Sequence, residues 1–342
     1  AAAAVQPPLA TENPATEAPN ERAPQANILY VTADGSGTAC TIAQPCKIQE
    51  AVNAAATGDE IHVAAGIHDD VVGNGTFTQT VQINKNVTLR GGYTTTNWLA
   101  DPDPVANETI LDGLNQGRVI RIFAAAPTIE GFTIRNGVAT FGAGIYKQTL
   151  QGSVIRNNRI YANSAIGGAE SGGGIYTQGA DTIVDNEIFD NFANASGGGI
   201  YVTTNGGTPI IQNNRIYDNT SGTAGGSGRG GGIYIFTGQA TVEGNVFYGN
   251  VSNFGGGLSV GVGGNVLIQN NIFYNNQATY HIASAGAGGA IQVSEQATIV
   301  HNTLVDNQAP TAMGGGLAVT SASAVVGITN TIVVSNTALS NS

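Results

Sequence analysis

Ile211-Gln212-Asn213-Asn214-Arg215-Ile216-Tyr217-Asp218-Asn219 is one of six copies of the pattern apolar-x-x-Asn-x-apolar-x-x-Asn. The other copies begin at Ile155, Ile183, Val242, Ile268 and Ile299, so the pattern returns every 26 to 31 residues. Between copies runs a glycine cluster followed by apolar-x-apolar, as in Gly197-Gly198-Gly199-Ile200-Tyr201-Val202 and Gly230-Gly231-Gly232-Ile233-Tyr234-Ile235. It weakens to Gly314-Gly315-Gly316-Leu317-Ala318-Val319. A period of this size, carried by short runs without helical spacing, marks a solenoid whose repeats cannot bury their apolar faces alone.

Each period holds three alternating runs, for example at Ile183, at Glu187-Ile188-Phe189 and at Ile200-Tyr201-Val202. Alternation at period two is the strand signal. Asn and Gly separate the runs, and both tolerate the left-handed backbone of a sharp corner. Three strands and three corners predict a triangular rung. Rungs pairing in parallel about 4.8 Å apart place like residues over like. Asn158, Asn186, Asn214, Asn245, Asn271 and Asn302 then form an inward hydrogen-bonded ladder. Because parallel crossovers are right-handed, the expected fold is all-β. It is a single-stranded right-handed parallel β-helix over residues 27–342, with about nine or ten rungs and roughly 45 Å of stacked sheet.

The ends differ from the coil. Residues 1–26 carry five of the eleven prolines and no strand pattern, which reads as a tail or linker. Lys47–Ala56 places Ile48, Ala51, Val52 and Ala55 on one helical face and meets Gly58, which predicts a short capping helix. The last strands, over Ala324–Ser335, are followed by only seven residues and no amphipathic helix. An open solenoid end of this kind invites pairing with another chain, head to tail, into a filament.

Charged residues make up 10% of the chain and the net charge is −11. This argues against nucleic acid or an anionic membrane surface as a partner. No apolar run reaches the length of a membrane-spanning helix.

The Asn- and Gly-punctuated rungs resemble the pectin-lyase-like right-handed β-helix superfamily. Within it, Phe247-Tyr248-Gly249-Asn250, Phe273-Tyr274-Asn275-Asn276 and Gly288-Gly289-Ala290-Ile291 are similar to the FxxN and GGAI repeats of bacterial polymorphic outer-membrane proteins. That resemblance implies surface display and supplies no chemistry. It also implies that Cys40 and Cys46 close a short disulfide loop, which together with the capping helix takes up residues 40–58, adding on the order of 2 kcal/mol. The rival reading is a zinc site shared with His62 and His68. A disulfide points to export, and the opening Ala1–Ala4 without Met fits a chain released from a signal peptide.

Enzymes of the superfamily work on polysaccharides with carboxylates, or with an Arg beside calcium-binding carboxylates. Glycoside hydrolysis needs two carboxylates at suitable spacing. The candidates are Asp69, Asp70, Asp101, Asp103, Asp112, Glu130, Asp181, Asp185, Glu187 and Asp190. Asp69-Asp70 and Asp101-Pro102-Asp103 read as solvated loops, and Glu187 shares a repeat position with Arg159 and Arg215, which reads as an ionic ladder. The paired-Asp, Gly-His-Gly and Arg-x-Lys signatures of polygalacturonases are absent. No cofactor is expected; calcium at Leu111-Asp112-Gly113 is the alternative.

The outward feature is aromatic. Tyr161, Phe189, Tyr217, Tyr248 and Tyr274 have the opposite parity to the buried apolar column, and Tyr146, Tyr176, Tyr201 and Tyr234 do the same on another strand. Two exposed ring columns are expected, which stabilise neighbouring rungs or contact another subunit or a polysaccharide. Six Asn-x-Ser/Thr sequons, at Asn74, Asn86, Asn107, Asn194, Asn219 and Asn250, mean little in so Asn-rich a chain. The function expected is a secreted or cell-surface, non-catalytic structural or adhesive protein that self-associates, with a polysaccharide lyase or glycoside hydrolase as the alternative.

Overall fold

A computed structural model describes residues 26–338 apart from 75–76, 169–170, 205, 223–225, 280–286 and 313. The tail expected over 1–26 thus lies outside the described residues except for Ala26. The chain winds into about ten coaxial turns of parallel sheet. Wall one runs through eleven strands from Ile28–Val31 to Val325–Thr329, and wall two through ten from Gly66–His68 to Ile332–Val334. Wall four runs through ten from Val72–Asn74, which folds back antiparallel on Phe77–Ile83, to Leu317–Val319.

The triangular rung needs one correction, because a third wall of eight two-residue strands, from Val138–Ala139 to Thr337–Ala338, lies between walls two and four. Its inward residues are small and buried, namely Ala165, Ala193, Ser221, Ser252, Ala278 and Ala309. Small side chains let this wall lie close to the core, and two residues are too few to show a period.

Both asparagines of the repeat face inward. In the first column Asn186 Nδ2 donates to Asn214 Oδ1 at 3.0 Å, Asn214 to Asn245 at 3.0 Å and Asn245 to Asn271 at 3.0 Å. The second column, Asn163, Asn191, Asn219, Asn250, Asn276, Asn307 and Asn336, forms an equal ladder at 2.8–3.0 Å. Asn219 and Asn250, nominal sequons, are wholly buried in it. The residue before each ladder Asn turns the corner in the left-handed region: Asn157, Asp185 and Asn213 at φ 54–55°, and Asp190 and Asp218 at φ 51°. The other corner is made by glycine. Gly197 has φ +65°, and a Cβ on Gly198 would lie 2.5 Å from the Thr220 carbonyl oxygen of the next turn.

The first turn is closed. Wall one begins at Ile28–Val31, whose outer edge is taken by the disulfide loop: Tyr30 N donates to Cys40 O at 2.8 Å and Cys46 N to Tyr30 O at 3.1 Å. The helix spans Ile48–Ala54, shorter than the run that predicts it because Ala55 is already extended, and it buries Ile48, Ala51 and Val52. Lys85 Nζ caps it, donating to Asn53 O at 2.7 Å and Ala55 O at 2.6 Å.

The last described turn exposes its core columns. Ile328 and Val333 continue columns that are buried in every earlier repeat, yet they are 52% and 54% exposed.

Candidate functional site

Cys40 and Cys46 are joined, with Cα atoms 4.7 Å apart, which overturns the zinc reading. The two histidines are engaged elsewhere. His62 Nε2 lies 3.0 Å from Glu60 Oε2 with its ring stacked on Tyr93 at 4.1 Å, and His68 Nε2 lies 3.0 Å from Ala64 O. Among the described residues no group of three or more acidic, His or Cys side chains is placed to hold a metal.

The candidate carboxylates do not assemble. Asp70 binds Lys47 Nζ at 2.6 Å beside the capping helix, and Asp103 Oδ1 accepts the Ala106 amide at 3.0 Å in its own loop. Asp112 receives Arg135 Nε at 2.8 Å, Asn136 Nδ2 at 3.0 Å and the Leu114 amide at 2.9 Å. Its burial alone would raise its pKa, but those three donors outweigh it and hold the carboxyl below its ordinary value. Both oxygens of the Asp112 carboxylate therefore already accept hydrogen bonds.

Glu130 bridges Arg90 and Arg156 on the outer face of wall one. Glu187 bridges Arg159 and Arg215, each at 3.1 Å, and accepts the Tyr217 hydroxyl at 3.0 Å. That is the ionic ladder the repeat positions predict. Asp185 and Asp190 are exposed at opposite corners of the strand between them. Asp218 follows Asp190 on the next turn, and burial together with that neighbouring charge pushes its carboxyl up.

Asp181 is inside the coil. Its carboxylate meets Lys147 Nζ at 2.8 Å, and both side chains are fully buried. Ser153 N donates to Asp181 at 2.6 Å and the Thr177 hydroxyl also donates to it, while Lys147 Nζ reaches Thr149 O at 2.8 Å. Desolvation pushes the Lys147 ammonium below its ordinary pKa, against the pull of Asp181. The sequence carries the signal, since Ile145-Tyr146-Lys147 places a lysine where the other repeats carry Val, Ile or, at Thr177, a threonine.

The aromatic columns form, but their exposure is less than parity predicts. On wall two, Tyr161, Phe189, Tyr217, Tyr248 and Tyr274 stack in nearly parallel pairs with centroids 4.6–4.9 Å apart. Each is half-buried because its faces are covered by its neighbours. Arg215 Nη2 ties the ionic ladder to the stack through Tyr248 Oη at 3.1 Å. On wall four, Tyr176 and Tyr201 stack at 5.0 Å, whereas Tyr146 and Tyr234 are only 7% and 6% exposed. Phe141 and Phe236, outside the repeat positions considered from sequence, extend this cluster.

Residues 170–338 match the family described as "right handed beta helix region". The coaxial parallel walls extend the same architecture over the rest of the described chain, which folds as a parallel β-helix of about ten turns. No curated protein sequence matches it. A solved structure titled "The complex structure of XylC with xylose" is similar, with TM-score 0.47 and 13% identity, over 83% of this chain and 67% of that one.

Proposed function

We propose that this β-helix is a non-catalytic structural or adhesive protein, secreted or displayed at a cell surface. The observation that carries the reading is the fate of its carboxylates. Asp112, Glu130, Asp181 and Glu187 are each neutralised by at least one Arg or Lys of a neighbouring turn. Such carboxylates stiffen the stack and are poor acids or bases for a substrate. The half-buried members of the aromatic columns, Tyr176 and Tyr201 on wall four and Tyr161, Phe189, Tyr217, Tyr248 and Tyr274 on wall two, are the contact surface of this reading, for another subunit or a polysaccharide, whereas Tyr146 and Tyr234 are too buried to take part.

Self-association is supported by the exposed core-column residues Ile328 and Val333 of the last described turn. The occupant of that turn is not the first turn of another copy, because the disulfide loop and helix already cover that edge. We assign the role to residues 1–25 of a second copy, a stretch that carries five of the eleven prolines and is long enough in sequence to lie along an exposed edge.

The alternative, a polysaccharide lyase or hydrolase, is favoured by Asp190 and Asp218, neighbouring carboxylates whose charges act on each other and which make no ion pair among the described residues. Incubation with a panel of neutral and acidic polysaccharides separates the two. The structural reading expects no new reducing ends or unsaturated products; turnover lost in Asp218→Asn establishes the enzyme.

A further inference from the structure

Most arginines in this chain answer a carboxylate, and Arg118 does not. Its residue is 4% exposed, yet Nε and Nη1 have no hydrogen-bond partner among the described residues. Nη2 makes one contact, to Phe141 O at 3.3 Å. The guanidinium packs over the rings of Tyr146 at 4.5 Å and Phe77 at 5.0 Å. A buried charge normally carries a partner, since an uncompensated one is costly.

The neighbours do not supply compensation. Arg121, on the same strand, sits over Phe77 at 4.1 Å and binds the neutral Gln82 Oε1 at 3.0 Å, so a second positive charge stands beside the first. The paired strand offers Gln79, whose buried Oε1 is also unpartnered but neutral. Burial and the Arg121 charge lower the pKa of Arg118 to about 10. In a protein of net charge −11 this is a local excess of positive charge placed out of water.

Arg118 lines a surface cavity of about 500 Å³. Phe77, Phe141 and Tyr146 form its apolar lining, and Gln116 and Gln148 add neutral amides. The space exceeds what a bare inorganic ion fills, and its rings suit a flat apolar body. We propose that this cavity is a binding site for a small organic anion, a carboxylate carried on a flat ring, with Arg118 as its counter-charge. The site is independent of the assembly role proposed above. The carboxylate compensates the charge of the Arg118 guanidinium at the cavity wall, while the ring packs against Phe77 and Tyr146.

The test is thermal unfolding of the full chain titrated with sodium benzoate, sodium sulfate or sodium chloride at constant total ionic strength. Benzoate is expected to raise the melting temperature with the logarithm of its concentration, well beyond sulfate and chloride. Arg118→Met is expected to melt at or above the wild-type temperature without added anion, because a buried lone charge has been removed, and to lose the benzoate response. Phe77→Leu should weaken that response several-fold while leaving the fold intact. Equal effects of benzoate, sulfate and chloride would overturn the ring-carboxylate assignment in favour of a bare anion or simple screening. A lower melting point for Arg118→Met with the benzoate response intact would make Arg118 purely structural.

Discussion

Inside the coil, the Lys147 ammonium lies 2.8 Å from the Asp181 carboxylate, and neither side chain is reached by solvent. The pair links the strand Ile145–Lys147 of wall four to the start of the wall-one strand Thr182–Val184 on the next turn. Truncating one partner leaves the other charge buried and alone. Asp181→Leu is therefore expected to destabilise the protein by about 3–5 kcal/mol, whereas the double variant Lys147→Met/Asp181→Leu recovers most of that loss. Urea denaturation of the three proteins checks it; a double variant no more stable than Asp181→Leu would mean that the pair acts through packing.

The asparagine ladders give a second, position-dependent prediction. Asn214 Nδ2 donates to Asn245 Oδ1, Ile183 O and Gln212 O, and its Oδ1 accepts both the amide and the Nδ2 of Asn186. Asn214→Ala strands buried donors and acceptors on both sides and should cost about 2–4 kcal/mol. At the end of the same column Thr331 stands in place of Asn, and its hydroxyl only weakly accepts the Asn302 amide at 3.4 Å. Thr331→Ala should thus be close to neutral in the same measurement.

Asp112 sets an acid dependence. Its carboxyl is held below the ordinary value of 3.8 in the folded chain, so the unfolded chain binds the proton at higher pH. The stabilisation is complete above the unfolded value and is lost as pH falls through the folded one. Melting temperature followed from about pH 5 to about pH 2 should fall more steeply for wild type than for Asp112→Asn. Parallel curves would show that Arg135 contributes nothing through this carboxylate.

At the alkaline end, Tyr201 and Tyr217 are pushed well above their ordinary value of 10. For Tyr201 the cause is burial between Tyr176 and Tyr234; for Tyr217 burial comes first, then the Glu187 carboxylate that its hydroxyl contacts. Stability held by these neutral phenols is intact below the unfolded value and is lost as pH rises towards the folded one. Ultraviolet titration should show these tyrosines ionising only together with unfolding. Ionisation near 10 in the folded protein would mean that the columns are more open than their packing indicates.

How much of this was legible in the sequence follows from what repeats. Ile, Asn and Gly recur turn after turn, so the coil, the first Asn ladder and the Arg159-Glu187-Arg215 ladder could all be read from register alone. The second Asn column is written in the same pattern, and as in the first a left-handed residue before each Asn accompanies its inward direction. Wall three was hidden because its strands contribute two residues each. Parity correctly gave the side of the sheet on which the tyrosines lie, but not their burial, which depends on rings from the turns above and below. Lys147 and Arg118 are single departures from the pattern. Their partners, or the absence of them, are set by tertiary placement that no period encodes.

The central functional claim is a structural protein that associates through the exposed Ile328 and Val333 of its last described turn. Negative-stain electron microscopy tests it most directly, with the full chain beside a deletion of residues 1–25 and beside Ile328→Lys/Val333→Lys. Filaments or linear oligomers in the full chain that disappear in both altered proteins are the predicted result. Monodisperse rods in all three samples at high protein concentration would contradict it.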